Sequence, residues 1–412
     1  MKLVKLLGAV SIAAIIASPA MAQQRNPIVI DQVNLKDAFS NLNVQVGDAS
    51  ESVIGVNSAL SNTATIAGVT PGFTPRIKQE AGGAFATTNI NVGTAPIIAT
   101  ATTAQGNGAT LATEEGRAIA SVRQRTYGDI KAINNIEADS TDIAEATTIA
   151  TANIATIVAA DNRAGGTATQ STSGDVRAQN NVSLGFNQDA ATFVTAATGN
   201  ALSAEGKSGA NIWDVYQTTQ GHTKIDATSN VTIWDAANVT NATTAAGNTI
   251  SGWTEYGEAN IGMRDKDVAR QTNGAHVTAH ANTNVDQLTG FATTTALGVG
   301  NSASLTNTSD GETGLYLTQN NSGGVSAGSN FNAGIAFGPV VSDATAVGNT
   351  INLSSNADLG TVGGIRAGTS QINTGHVRAA TNINIGSSAT SVIGTASAIG
   401  NSTTITGATK GY

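Results

Sequence analysis

The side chains best suited to proton transfer or metal binding in this sequence are its four histidines, His222, His276, His280 and His376. Their spacing argues against both roles. His222, His276 and His376 each follow a recurring Gln-Gly marker at nearly the same offset, a place expected on the polar, solvated face of a strand. His276 and His280 are four residues apart, which on a strand puts them on one face about 13 Å from each other, too far to share a zinc ion. The one Gly-x-Ser-x-Gly string, Gly324 to Gly328, coincides with a copy of the repeated Val-x-Ala strand phrase and is not expected to be a nucleophile elbow; no P-loop or credible dinucleotide fingerprint is present, and the calcium-binding GGxGxD phrase is absent. Glu114 and Glu115 are neighbours in a polar stretch, expected to be exposed rather than opposed across a cleft. The expectation is therefore a protein without catalytic residues, metal or cofactor.

Aromatic residues leave two readings open. Trp213, Trp234 and Trp253 all fall in the middle of the chain, with Tyr216 and Tyr256 close by. They either plug a wider section of core or form a patch that contacts a glycan or a partner.

The elements around these residues are set by repetition. The phrase Gly-Asn after small residues ends at Asn107, Asn200, Asn248, Asn301, Asn349 and Asn401, with degenerate copies at Asn62 and Asn162. The average interval is about 48 residues, the range of stacked repeat architectures. A second marker keeps the same period: Gln79, Gln124, Gln170, Gln217, Gln271, Gln319 and Gln371 each precede a glycine by three or four residues, and Gln32 is a first copy without the glycine. Two markers interleaved in constant order define eight imperfect units from about residue 27 to the end. Within four units a phrase of the form Val/Ala/Thr-x-Ala-x-x-Asn recurs, its asparagines 19 residues apart, as at Asn181 and Asn200 or Asn382 and Asn401. Apolar residues alternate with polar ones, as in Val377-x-Ala379 between His376 and Arg378, which is the signature of half-buried strands. Gly and Asn suit the bends between strands.

These signals predict an all-β chain, an elongated β-solenoid resembling a β-helix, with like residues stacked on like and asparagine amides forming ladders. The 19-residue recurrence predicts a turn of about that length, hence about two turns per unit. The stretch 113–125 is the best helix candidate and reads equally well as a strand.

Composition and the first residues give the setting. Lys2 and Lys5 precede the apolar stretch 6–17, and Ala20-Met21-Ala22 offers a small-x-small cleavage site, so residues 1–22 read as a signal peptide and 23–412 as one repetitive domain. The apolar stretch is too short for a span, and no other is long enough. No cysteine is present, which rules out disulfides and a lipidated N-terminus. Only 12% of residues are charged and 4% aromatic, with net charge −8, a balance that excludes nucleic acid as a partner.

The iterated Gln-x-x-x-Gly-x-Val-x-Ala and Ala-x-Ala-x-Gly-Asn phrases behind a signal peptide resemble the holdfast attachment (holdfast-anchor) protein D family of stalked and budding bacteria. The likeness covers most of the mature chain. It implies an outer-surface or extracellular protein that helps fasten an adhesive polysaccharide to the cell envelope. It also implies partners, a curlin-like amyloid subunit and an outer-membrane secretion lipoprotein. The repeats are also similar in style to curli-type subunits, whose repeats are about half as long, and to the heads of trimeric autotransporter adhesins.

The expected function is structural: cell adhesion through a repetitive polar β face whose many weak contacts with polysaccharide add up by avidity. The alternatives are an amyloid-like fibre subunit that self-associates through its open ends, and a polysaccharide-degrading β-helix enzyme.

Overall fold

A computed structural model describes residues 28–68, 74–114, 117–161, 163–262, 268–308, 311–355 and 364–407. The expected signal peptide, together with Asn162, Glu115 and Asp358, lies outside the described residues. The described residues form strands and no helix, and therefore no helix able to cross a membrane. The helix candidate at 113–125 is mostly the strand Ala118–Thr126.

Every strand pairing is parallel. One sheet collects short strands, from Val29–Asn34 through Ala118–Thr126 and Asn211–Thr219 to Ile365–Asn373. The other is built from long strands that bend midway: Ala84–Thr113, Ile130–Ala159, Val176–Ser208 and Lys224–Tyr256. Towards both ends of the stack the bend splits the strand in two, as in Ala38–Asp48 with Ser52–Gly68 and in Val377–Ser387 with Val392–Gly407.

One circuit of the chain is a leading limb, a bend, a trailing limb and a short strand. Residues 176–184, 191–206 and 211–219 are one example. The turn is flattened into two layers. Across the bend the two limbs face each other, so that Thr102 Oγ1 donates to Thr88 Oγ1 at 2.7 Å. Further along, the trailing limb faces the short strand, and Asn107 Nδ2 donates to the Arg125 carbonyl at 2.8 Å. The trailing limb is thus covered by the leading limb and the short strand laid end to end.

This geometry changes the expected turn length. Asn153 pairs with Asn107 on one side and Asn200 on the other, 46 and 47 residues away. One unit is therefore one turn, not two. The two copies of the recurring phrase in a unit are its two limbs, and their asparagines do not stack on each other. In the leading limb Val176, Ala178 and Asn180 are buried, which turns Asn181 outward. In the trailing limb Thr195, Ala197 and Asn200 are buried, because Gly199 takes up one extra residue and shifts the alternation. A Cβ on the equivalent Gly247 would lie 2.4 Å from the Gly300 carbonyl oxygen of the next tier, so only the smallest residues recur here. Ser61 and Ala152 are the other occupants.

The interior is thin and striped. Val182, Leu184, Phe193, Val231 and Ile233 pack behind the bend. An alanine strip with Ala178, Ala197, Ala227 and Ala245 follows. Leu202, Trp213, Val215, Ile250 and Leu305 fill the space under the short strands. Sheets about 10 Å apart leave room for these small side chains and few rings, which accounts for the low aromatic content.

Candidate functional site

The glutamine markers lie inside. Gln79 Nε2 donates to Gln32 Oε1, and the chain of bonds continues through Gln124, Gln170, Gln217, Gln271 and Gln319 to Gln371, each at 2.7–2.8 Å. The second N–H of each amide reaches a trailing-limb carbonyl, as from Gln124 to Ile154 and from Gln217 to Thr249, both at 2.8 Å. The asparagine markers form a second interior ladder running Asn62, Asn107, Asn153, Asn200, Asn248, Asn301, Asn349, Asn401 at 2.7–2.9 Å. Its third member is Asn153, not Asn162. The Gly-Asn string hides it because Ala152 replaces the glycine. Both ladders seal the seam between the covering strands, where burial makes an unpaired amide costly. The glycine after each glutamine sits at the corner between short strand and leading limb. A Cβ on Gly174 would meet the Gly128 carbonyl oxygen at 2.0 Å.

The histidines are dispersed: His222, His276 and His376 are exposed and His280 is half-buried. No group of three potential metal ligands occurs among the described residues. Glu114 is exposed.

The three tryptophans do not form one surface. Trp213 is 2% exposed, packs in the core under the short strands and donates its indole N–H to Asn211 Oδ1 at 2.8 Å. Trp253 is half-buried on the trailing limb, and Trp234 is 63% exposed on the leading limb. As a three-residue contact patch the set fails, because one period-two strand turns Trp213 inward while Trp234 faces solvent from a different sheet.

What the tiers do bring together is a groove on the outer face of the leading limbs. A third amide ladder lines it: Asn89, Asn135, Asn181, Asn230, Asn282 and Asn330 each donate to the asparagine of the tier before, beginning with Asn43, at 2.7–3.0 Å. Beside it runs a column with Gln45, Asn91, Glu137, Ser183, Thr232, Asn284, Asn332 and Asn384. Asn91 Nδ2 donates to Glu137 Oε2 at 3.3 Å. One stretch of the groove encloses about 710 Å³ and the next about 680 Å³. They share Glu137, Ser183 and Thr232 as lining residues, so the groove is continuous and runs across the strands. It offers planar amides, hydroxyls and carboxylates at the tier spacing, suited to hydroxyl-rich polymers.

Sequence reasoning found Asn181, Asn282 and Asn330 but not their outward direction, and it missed Glu137, Asp139 and Asp286. Aligning the leading limbs at the period of a single turn exposes all of them.

No curated protein and no solved structure matches the chain. The family model for holdfast attachment protein D matches residues 47–324 and 310–411, together most of the sequence. The chain belongs to the holdfast attachment protein D family.

Proposed function

We propose that this protein is a non-enzymatic anchor that fastens an adhesive polysaccharide to the cell envelope, with the outer groove as its polysaccharide-binding face. The observation that carries this reading is the unbroken outer asparagine ladder along a groove that crosses the tiers. Identical amides recur about every 4.8 Å, so a polymer lying across the strands meets equivalent donors and acceptors tier after tier. Each contact is weak, and avidity comes from their number. Export through a cleaved signal peptide, and cooperation with a curlin-like subunit and an outer-membrane secretion lipoprotein, are part of the same proposal.

The test is retention of the polymer. Cells carrying Asn181→Ala, Asn230→Ala and Asn282→Ala together are expected to shed their adhesive polysaccharide, while each single change has little effect. A single groove substitution that costs a hundredfold in polymer retention contradicts avidity as the mechanism. Incubation of the polymer with purified protein is expected to leave its length unchanged; shortening supports the degrading-enzyme alternative instead.

A second reading, fibre growth by head-to-tail stacking, is favoured by ladder polarity. Interior asparagines donate towards the C-terminal tier, whereas glutamines and outer asparagines donate towards the N-terminal tier. In the two interior ladders the backbone carbonyls that accept the second N–H lock these directions. A second copy stacked head to tail would continue all three ladders donor to acceptor, and head-to-head stacking would set like against like. Sedimentation of purified protein separates the cases: a single monomeric species removes this reading.

A further inference from the structure

The outer edge of the groove has its own column, one position beyond the polar one. From the first tier to the last it reads Gly47, Gly93, Asp139, Gly185, Trp234, Asp286, Gly334, Gly386. Glycine has a physical reason here. A Cβ on Gly93 would lie 2.2 Å from the Gly47 carbonyl oxygen, and one on Gly185 2.3 Å from that of Asp139. Five of the eight tiers carry glycine and two carry aspartate, yet the fifth tier places the largest side chain there, and it is 63% exposed. Trp234 therefore adds nothing to the core and interrupts a pattern that packing favours. Its neighbour on one side, Gly185, carries no side chain to cover the indole. On the other side Asp286 follows, one tier or about 5 Å away.

Trp234 lies in the stretch of the groove that also contains Glu137, Asp139 and Asp286, all exposed. No Lys, Arg or His lines this stretch or the one adjoining it. An exposed indole in a polar trough suits the apolar C–H face of a pyranose ring, with amides and carboxylates around it for the ring's polar substituents. The charges select among sugars. Uronate or sulfated rings meet like charge, whereas protonated amino groups on successive rings meet Asp286 one tier from the indole on one side and Glu137 and Asp139 two tiers from it on the other.

We propose that Trp234, with Glu137, Asp139 and Asp286, forms a subsite for a short run of hexopyranoside rings bearing protonated amino groups. The proposal rests on the polysaccharide-anchoring reading above and narrows it to one place and one sugar class. The indole is the platform, and the carboxylates set the preference for amino over acidic sugars.

Calorimetric titration of the full mature chain with three pentasaccharides tests it: β-1,4-linked glucosamine, its N-acetylated form and oligogalacturonate. The expected order of affinity is amino, then neutral, then acidic. Trp234→Gly installs the residue that most tiers of the column use, so it folds, and it is expected to lower affinity for the glucosamine pentamer at least tenfold. Trp234→Phe keeps a platform and stays within about threefold of wild type. Glu137→Gln with Asp286→Asn is expected to abolish the amino-over-neutral preference while leaving the neutral pentamer within twofold. Unchanged binding in Trp234→Gly, or acidic oligomer bound as tightly as amino, overturns the subsite. If the wild type retains the adhesive polymer but binds no pentamer, the subsite falls and the anchoring reading stands. If it binds neither polymer nor pentamer, the anchoring reading itself falls.

Discussion

The interior seam and the outer groove are built from the same amides at the same spacing, yet they differ in how much variation they carry. Inside, every tier repeats Gln and Asn at equivalent positions from Gln32 to Gln371 and from Asn62 to Asn401. Outside, the asparagine ladder is flanked by columns that change from tier to tier, ending in one that holds glycine, aspartate and a single tryptophan. Burial explains the contrast. An unpaired interior amide has no water to turn to, so each tier must supply its donor and acceptor. An exposed position lacks that constraint, and departures from repetition there are free to serve binding. In the buried seam repetition answers to packing, whereas on the outer face both the repeated asparagines and the exceptions beside them are open to solvent.

Substitutions can break or sharpen this contrast, in descending order of effect. Trp213→Ala removes a fully buried indole from the core under the short strands and is expected to destabilise by about 3–5 kcal/mol, read as the shift in urea midpoint. Asn248→Leu cuts the interior ladder between Asn200 and Asn301 and strands a donor on one side and an acceptor on the other. Its expected cost is about 2–4 kcal/mol. Gln217→Leu breaks the parallel ladder between Gln170 and Gln271 and should behave alike. Asn230→Ala interrupts the outer ladder, where water replaces the lost partner, so the same melt should show about 0.5 kcal/mol. Trp234→Gly is expected to leave stability within about 0.5 kcal/mol while removing oligosaccharide binding. Equal stability losses for Asn248→Leu and Asn230→Ala would erase the distinction between seam and groove.

Much of the architecture could be read from residue order. Gln79 to Gln371 and the Gly-Asn phrases announced stacked strands, and the alternation around Val377 and Ala379 announced half-buried ones. The turn length could not be read, because the phrase that recurs 19 residues on looks alike in both limbs. Asn181 and Asn200 end similar words, but one extra residue, Gly199, sends the first outward and the second inward. Asn153 escaped for a related reason, with Ala152 standing where glycine was the landmark.

The tryptophans show the same limit. Their clustering between 213 and 253 left both core plug and contact patch open, since local order does not reveal which sheet a strand joins. The sequence alone determined that the chain is all-β, repetitive and built on period-two strands with amides at fixed intervals, because side-chain type and spacing are local properties. Only the tertiary structure decided that one unit makes one turn, that Trp213 is buried while Trp234 stands in solvent, and that Glu137, Asp139 and Asp286 share a groove with it. Those outcomes depend on which residues lie above one another across 45 to 54 positions of chain, a relation set by register between tiers.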